Sequence, residues 1–319
     1  MIARRGRTRT DLESFSRTPE REFANQSRRF LKTSATLAGA AVLTPLDLAA
    51  VGTAEKRTAV DAVTLGKTGI RLSRLGIGTG SNSGEVQRAL SHEAFNRLIR
   101  YAYDQGITYI DTAESYKTHE WIREAIKGLP REKLFIQTKM SGTPERPMQV
   151  IDHFRKELYT DYIDSLLCHY ATTSTWDDER RRVMDALEEA KEKKIIRAKG
   201  VSCHGLPALK RATKVSWVEV HLVRLNPMGH KLDGATYKWE EVGNVPAVID
   251  EVKTMRADGR GVIGMKLIGN GDFKTPEERE RSIRFVMRSG LVDAVVIGFA
   301  STAEIDEAIE RINRALTEV

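Results

Sequence analysis

Cysteine is nearly absent from this chain: 319 residues carry two, Cys168 and Cys203. Both sit inside apolar, β-prone runs, so they do not form the framework of a disulfide-stapled domain; they read as small buried hydrophobes. No Cys-x-x-Cys, His-Glu-x-x-His or comparable ligand spacing occurs, which argues against a metal site. No apolar run reaches the roughly 20 residues that a membrane-spanning helix needs. The GxGxxG turn of a doubly wound sheet is missing too. Gly76 to Gly84, GIGTGSNSG, is rich in glycine but lacks the third glycine at its required place. Nor is the Gly-Lys-Thr of VTLGKTGIRLS a phosphate loop, because a strand-like run follows it where a helix is required.

Positive charge is abundant but uneven. The chain carries a formal net charge of +7, and residues 1–57 hold nine Arg and two Lys against two Asp and four Glu, a local balance of +5. The remainder carries +2, the difference between those two figures, so the high pI belongs to a leader and nucleic acid is not expected as a partner. The leader runs from an arginine-rich stretch through uncharged TSATLAGAAVLT and Pro45 to small residues at Ala54. That order is the basic region, short apolar region and small-residue exit of an export signal. SRRFLK (Ser27 to Lys32) resembles the twin-arginine motif that precedes export of folded proteins, with Ser27 at the first arginine when Phe30, Leu31 and Lys32 are placed on the motif's end. A periplasmic location with help from export machinery is the expectation; a basic N-terminus on a cytoplasmic protein is the alternative.

From residue 58 the chain repeats strand, loop and helix. Apolar runs predict strands at Leu75–Ile77, Tyr109–Asp111, Leu134–Lys139, Ile163–His169, Ile196–Ser202, Val218–Leu225, Gly261–Ile268 and Ala294–Phe299. Stretches such as His92–Tyr103, Trp176–Lys193 and Thr302–Ala315 carry apolar residues at helical spacing. Eight such units predict an α/β fold, a (β/α)8 TIM barrel over residues 58–319. VTLGKTGIRLS ahead of the first barrel strand predicts a hairpin closing its floor.

Four polar residues stand at or just past the C-terminal ends of these strands, the edge where a parallel barrel builds its site: Asp111 and Tyr116 in DTAESY, Lys139 in QTKM and His169 in LLCHY. A phenol surrounded by a lysine, a carboxylate and an imidazole makes a proton donor for a carbonyl oxygen that receives hydride. Singly, each has a plainer reading: Asp111 as a helix cap, Tyr116 as a surface aromatic, Lys139 as a loop lysine, His169 as a core histidine. Together they favour a reductase.

DTAESY, QTKM, CHY, GVSCH and the final IGFAST, in that order on successive strands, resemble the aldo-keto reductase superfamily over residues 62–316, and LGKTGIRLSRLGIGTG is typical of its bacterial members. The resemblance implies NAD(P)-dependent reduction of aldehydes and ketones on a barrel without a Rossmann domain. Carried over, Tyr116 would be the general acid, Lys139 would lower its pKa, Asp111 would orient Lys139, and His169 would bind the carbonyl. Thr79, Gly80 and Ser202 match places that meet the cofactor. Cys203 stands where many members have Asn, and Leu222 where a glutamine is usual, so His204 or Arg224 would help hold the nicotinamide amide. Met265 takes the place of a stacking tyrosine, and Lys266 either meets a pyrophosphate oxygen or pairs with a barrel carboxylate. After the eighth strand come Ser301, Thr302 and Glu304, with Gly298 where a lysine often stands. Glu304 at the place of a phosphate-binding base leans the cofactor from NADP toward NAD, or else serves the last helix's N-terminus.

The substrate mouth is expected under the loops Ala171–Trp176 and Pro227–Asn244, with Tyr237 and Trp239 as aromatic walls. Two rival functions remain: a cofactor-binding regulatory barrel without turnover, and a barrel isomerase or lyase using Lys139 as base or Schiff-base nucleophile.

Overall fold

A computed structural model describes residues 57–317; the expected leader, Arg57 apart, lies outside the described residues. Eight parallel strands close into a barrel: β3 (Leu75–Gly78), β4 (Tyr109–Asp111), β5 (Phe135–Met140), β6 (Ile163–Ala171), β7 (Ile196–Cys203), β8 (Val220–Arg224), β9 (Gly261–Met265) and β10 (Ala294–Gly298), with β10 closing onto β3. The expected floor hairpin is β1 (Ala62–Thr64) paired antiparallel with β2 (Arg71–Ser73). Leu65, Ile70 and Leu72 from this hairpin join Tyr109, Phe135, Leu167 and Ala198 in the barrel interior, which seals the N-terminal end.

Alternation along each strand sorts the side chains. Leu75, Ile77, Ile110, Ile136, Val201 and Val295 face outward and pack with helix residues such as Phe95, Phe154, Leu187 and Ile305, each fully buried aliphatic contributing about 1.5–3 kcal/mol. Cys168 and Cys203 lie in this outer layer as free, buried thiols; burial pushes Cys168 up to about 12, as suits inert packing groups. Inward, the Tyr109 ring meets Phe135 edge-on at 5.1 Å and lies over its register partner Gly76 on the adjacent β3, where a Cβ would stand 2.1 Å from it. Near the floor, buried Asp164 accepts from Arg131 Nη2 (2.7 Å), Arg197 Nη1 (2.7 Å) and the Ile136 amide (3.0 Å), tying β5, β6 and β7 together.

Several strand ends shift by one or two residues from the sequence expectation, and two larger departures have local reasons. β9 stops at Met265 rather than Ile268 because Lys266 adopts a left-handed conformation, φ 62°, which ends extended pairing. The helix expected over Trp176–Lys193 breaks at Arg180 into Trp176–Glu179 and Arg181–Glu192. Its first turn is anchored separately: Trp176 is buried and Asp177 accepts a bidentate pair from Arg211 at 2.9 and 2.7 Å.

Candidate active site

Parallel register brings the inward residues of neighbouring strands side by side at the C-terminal rim. Asp111 pairs with Gln137 between β4 and β5, and Lys139 pairs with Leu167 between β5 and β6. Both oxygens of Asp111 are used: Oδ1 accepts from Gln137 Nε2 at 2.9 Å and Oδ2 from Lys139 Nζ at 2.8 Å. Gln137 Nε2 also donates to Tyr109 Oη at 2.9 Å. Lys139, fully buried, donates to the Thr112 carbonyl at 2.6 Å as well. Its ammonium then stands 4.9 Å from the centre of the Tyr116 ring.

Tyr116 ends the single 3-10 turn Glu114–Tyr116, and Lys117 reverses the chain in a left-handed conformation, φ 56°. The phenol is thereby turned inward, with Oη 3.5 Å from His169 Nε2. Ser141 and Ser115 hydroxyls lie 3.3 and 3.5 Å from His169 Nδ1; donating there, they favour a proton on Nε2, facing the phenol oxygen. Burial, reinforced by Lys139, Arg180 and Lys266, drives His169 down to about 3, so the ring is neutral at physiological pH.

The four expected catalytic residues are therefore brought together, but one expectation about them needs correction. Lys139 does favour the phenolate by charge and hydrogen bonding, yet burial outweighs it and Asp111 opposes it, so the Tyr116 pKa is raised rather than lowered. The phenol is held as the protonated acid.

Two clefts meet at this group. One, of about 400 Å³, is lined by Asp111 and Tyr116, by Met265 and Lys266, and by Lys274, Arg279 and Arg311. The other, of about 520 Å³, opens over Tyr116 and His169 and is bounded by Ser141, Tyr170, His204 and Trp239. Gly80, Tyr116, Lys266 and Asn270 line both. Between the clefts Asn270 Nδ2 donates to Asn82 Oδ1 at 2.8 Å, and Lys266 Nζ donates to Asn270 Oδ1 at 2.6 Å. Both asparagines are left-handed, with φ 62° and 48°.

A family model described as "Aldo/keto reductase family" matches residues 74–314. The chain belongs to the aldo/keto reductase family. It is similar to Probable aldo-keto reductase 1 of Glycine max, 32% identical over 43% of this chain and 44% of that one. It is also similar to methylglyoxal reductase DkgA of Escherichia coli K12, 28% identical over 63% of this chain and 74% of that one. The matched part thus spans under half the length of the soybean relative. Among solved structures, an aldo-keto reductase from Pseudomonas aeruginosa superposes with TM-score 0.67 at 21% identity over 82% of this chain and 97% of that one, which shows the same fold.

For an aldo/keto reductase, the lining of the first cleft fits a dinucleotide: apolar Met265, Leu267 and Ile268 stand in it with Tyr116, and Lys266, Lys274, Arg279 and Arg311 offer cations for its phosphates beside Glu304 and Glu307. Gly80, Met265, Lys266 and Glu304 line it as expected. Lys266 has no carboxylate partner among the described residues and is pulled down to about 8, chiefly by burial and then by Arg224 and Lys139, which removes the carboxylate-pairing alternative. Other expected cofactor contacts do not reach the cleft. Thr79 is buried, its hydroxyl bonded to the Asp111 carbonyl (3.1 Å) and Thr118 (2.8 Å). Cys203 faces outward because it follows inward Ser202 on β7. Ser202 itself keeps the inward place, but its Oγ is sealed without a partner and it lines neither cleft. Ser301 and Thr302 also miss the cleft; the Ser301 hydroxyl faces the Glu304 amide at 3.4 Å. Glu304 both lines the cleft and accepts from the Ala300 amide at 2.7 Å.

The β8 register is settled by Leu222 lying opposite Ser202. Arg224 is spent on buried Asp233 of the long loop, at 2.6 and 3.1 Å, and His204 lines the second cleft rather than the first. Trp239 walls that second cleft, with Lys231 and Lys266 ammonium groups 4.8 and 5.1 Å from its ring centre, whereas Tyr237 points away and is 60% exposed. Sequence reasoning missed Asn82, Ser115, Ser141, Tyr170 and Asn270; the one usable signal was Asn270 between two glycines, where a left-handed turn is expected.

Gly80 supplies the seat of the phenol: a Cβ there would stand 2.3 Å from Tyr116 Cε2. Gly80→Ala is expected to displace the ring and lower kcat by about a hundredfold with little change in melting temperature; wild-type kcat in a folded variant would contradict this seating.

Proposed function

We propose that this chain reduces small aldehydes or ketones with a nicotinamide dinucleotide, and that Tyr116 delivers the proton. When bound, the dinucleotide supplies hydride to the carbonyl carbon. The observation that carries the reading is a protonated phenol whose oxygen faces the His169 ring, with a sealed ammonium beside it. As the carbonyl oxygen gains negative charge, Tyr116 Oη gives up its proton to it, and the Lys139 ammonium stabilises the phenolate left behind. His169, neutral, donates a hydrogen bond from Nε2 to the same oxygen and fixes the reacting face.

Relatives named for reducing methylglyoxal and indole-3-acetaldehyde support a small aldehyde as substrate. A lyase using Lys139 as nucleophile is disfavoured because Nζ is committed to Asp111 and Thr112, and a regulatory barrel would have no use for the complete set. Tyr116→Phe is expected to lower turnover by about 10²–10⁴-fold while dinucleotide binding, followed by fluorescence titration, stays near wild type. Near-wild-type turnover would refute the assignment.

NAD is proposed over NADP. Glu304 lines the first cleft, where its charge would oppose an added phosphate, and the charges of Arg279 and Arg311 are already shared with Glu307 at 2.7 and 2.8 Å, leaving Lys266 and Lys274 as the cations there with no carboxylate partner among the described residues. Glu304→Arg should raise the NADPH-to-NADH ratio of kcat/KM by about tenfold or more; an unmoved ratio would show that this carboxylate does not set the preference.

Residues 1–57 are proposed to direct export of the folded enzyme to the periplasm, on the strength of SRRFLK followed by an apolar run and small residues. Cell fractionation tests it: the full chain should be recovered outside the cytoplasm and the Arg28→Lys, Arg29→Lys variant inside it. Equal cytoplasmic recovery of both would remove the export reading.

A further inference from the structure

His204 lies just past β7, buried, and lines the cleft over Tyr116 and His169. Its Nδ1 is sealed without a well-formed hydrogen bond, the Ser202 backbone is the ring's polar neighbour, and among the described residues no bond is made to Nε2, the nitrogen left open to the cleft. Leaving Nε2 of a buried imidazole unsatisfied costs free energy unless something arrives to bond it.

The ring is also deliberately placed. β6 carries a bulge between Cys168 and Ala171, and Tyr170 within it takes a left-handed conformation, φ 59°. This aims Tyr170 at the mouth, where its ring covers His204 at 4.4 Å between centroids and 30° between planes. Strained backbone of this kind is concentrated at functional sites. His204 then stands 6.3 Å from His169, centroid to centroid.

That spacing admits two oxygens on adjacent carbons, each about 2.8 Å from one ring nitrogen. A neutral imidazole nitrogen is either donor or acceptor, and a hydroxyl satisfies both cases, which a second carbonyl does not. The rest of the cleft agrees: Ser115, Ser141, Asn82 and Asn270 line it, no aliphatic side chain does, and its flat surface is the Trp239 ring. We propose that His204 is a specificity residue whose Nε2 holds a hydroxyl on the carbon next to the reacting carbonyl, so that the enzyme selects hydroxy-aldehydes and hydroxy-ketones. This rests on the reductase reading given above.

The test compares kcat/KM for glyceraldehyde and propanal, which differ in the hydroxyls alone, in wild type, His204→Leu and His204→Gln. Wild type should prefer glyceraldehyde by about tenfold or more, the value of one good hydrogen bond. His204→Leu should lose that ratio and His204→Gln, which keeps a donor and an acceptor, should retain part of it. A direct readout without turnover is the ¹⁵N-histidine NMR spectrum of the wild-type protein, where glycerol should shift the His204 signals and 1-propanol should not. Equal kcat/KM for both aldehydes in wild type, a ratio untouched in His204→Leu, or identical responses to the two alcohols would overturn the proposal. Absence of carbonyl-dependent turnover with both aldehydes would overturn the reductase reading instead, and this proposal with it.

Discussion

A lysine ammonium sealed inside the mouth of the barrel is the constraint on which the site depends. Taking that charge from water costs several kcal/mol unless it is well paired, and the pairing is close to complete: Asp111 on one side, the Thr112 carbonyl on another. Asp111 is in turn fixed by Gln137, and Gln137 by Tyr109, the ring that fills the barrel's middle. A chain of hydrogen bonds therefore runs from the packed core to the Lys139 ammonium beside the Tyr116 phenol. Replacing the ion pair with apolar residues of equal size would suit stability as well or better; its retention makes sense as a fixed positive charge beside an oxygen that, in the proposed reaction, briefly becomes negative.

The same low-polarity setting explains the other charge states. Burial alone would hold Tyr116 protonated and His169 neutral, and both directions are found. Lys266 sits where the two clefts meet, pushed toward neutrality by burial and by Arg224 and Lys139, and it has no carboxylate partner among the described residues. Its left-handed backbone and its bond to Asn270 place it between the two clefts, within reach of negative charge arriving in either.

Most of the barrel was legible in the sequence because apolar β-prone runs separated by amphipathic helices leave few alternatives at this length. Asp111, Tyr116, Lys139 and His169 were legible as well, since motif order on consecutive strands fixes their convergence. What escaped has physical causes. The net direction of the Tyr116 pKa depends on a balance between burial and charge that spacing does not encode. Thr79 and Cys203 matched by position but face a neighbouring strand and the outer layer. Tyr170 and the Asn82–Asn270 bridge depend on left-handed backbone at residues that tolerate it poorly or only moderately, and a bulge of that kind leaves little trace in a single sequence.

The central claim is that hydride goes to a carbonyl carbon while Tyr116 supplies the proton, and isotope transfer tests it most directly. The protein is mixed with dinucleotide deuterated at the transferring position of the nicotinamide and with an aldehyde, in ordinary water. The expected product is an alcohol with one deuterium on the former carbonyl carbon. Product whose new carbon-bound hydrogen comes from water, or turnover that proceeds without any dinucleotide, would contradict the claim and point instead to Lys139 acting as a base or nucleophile.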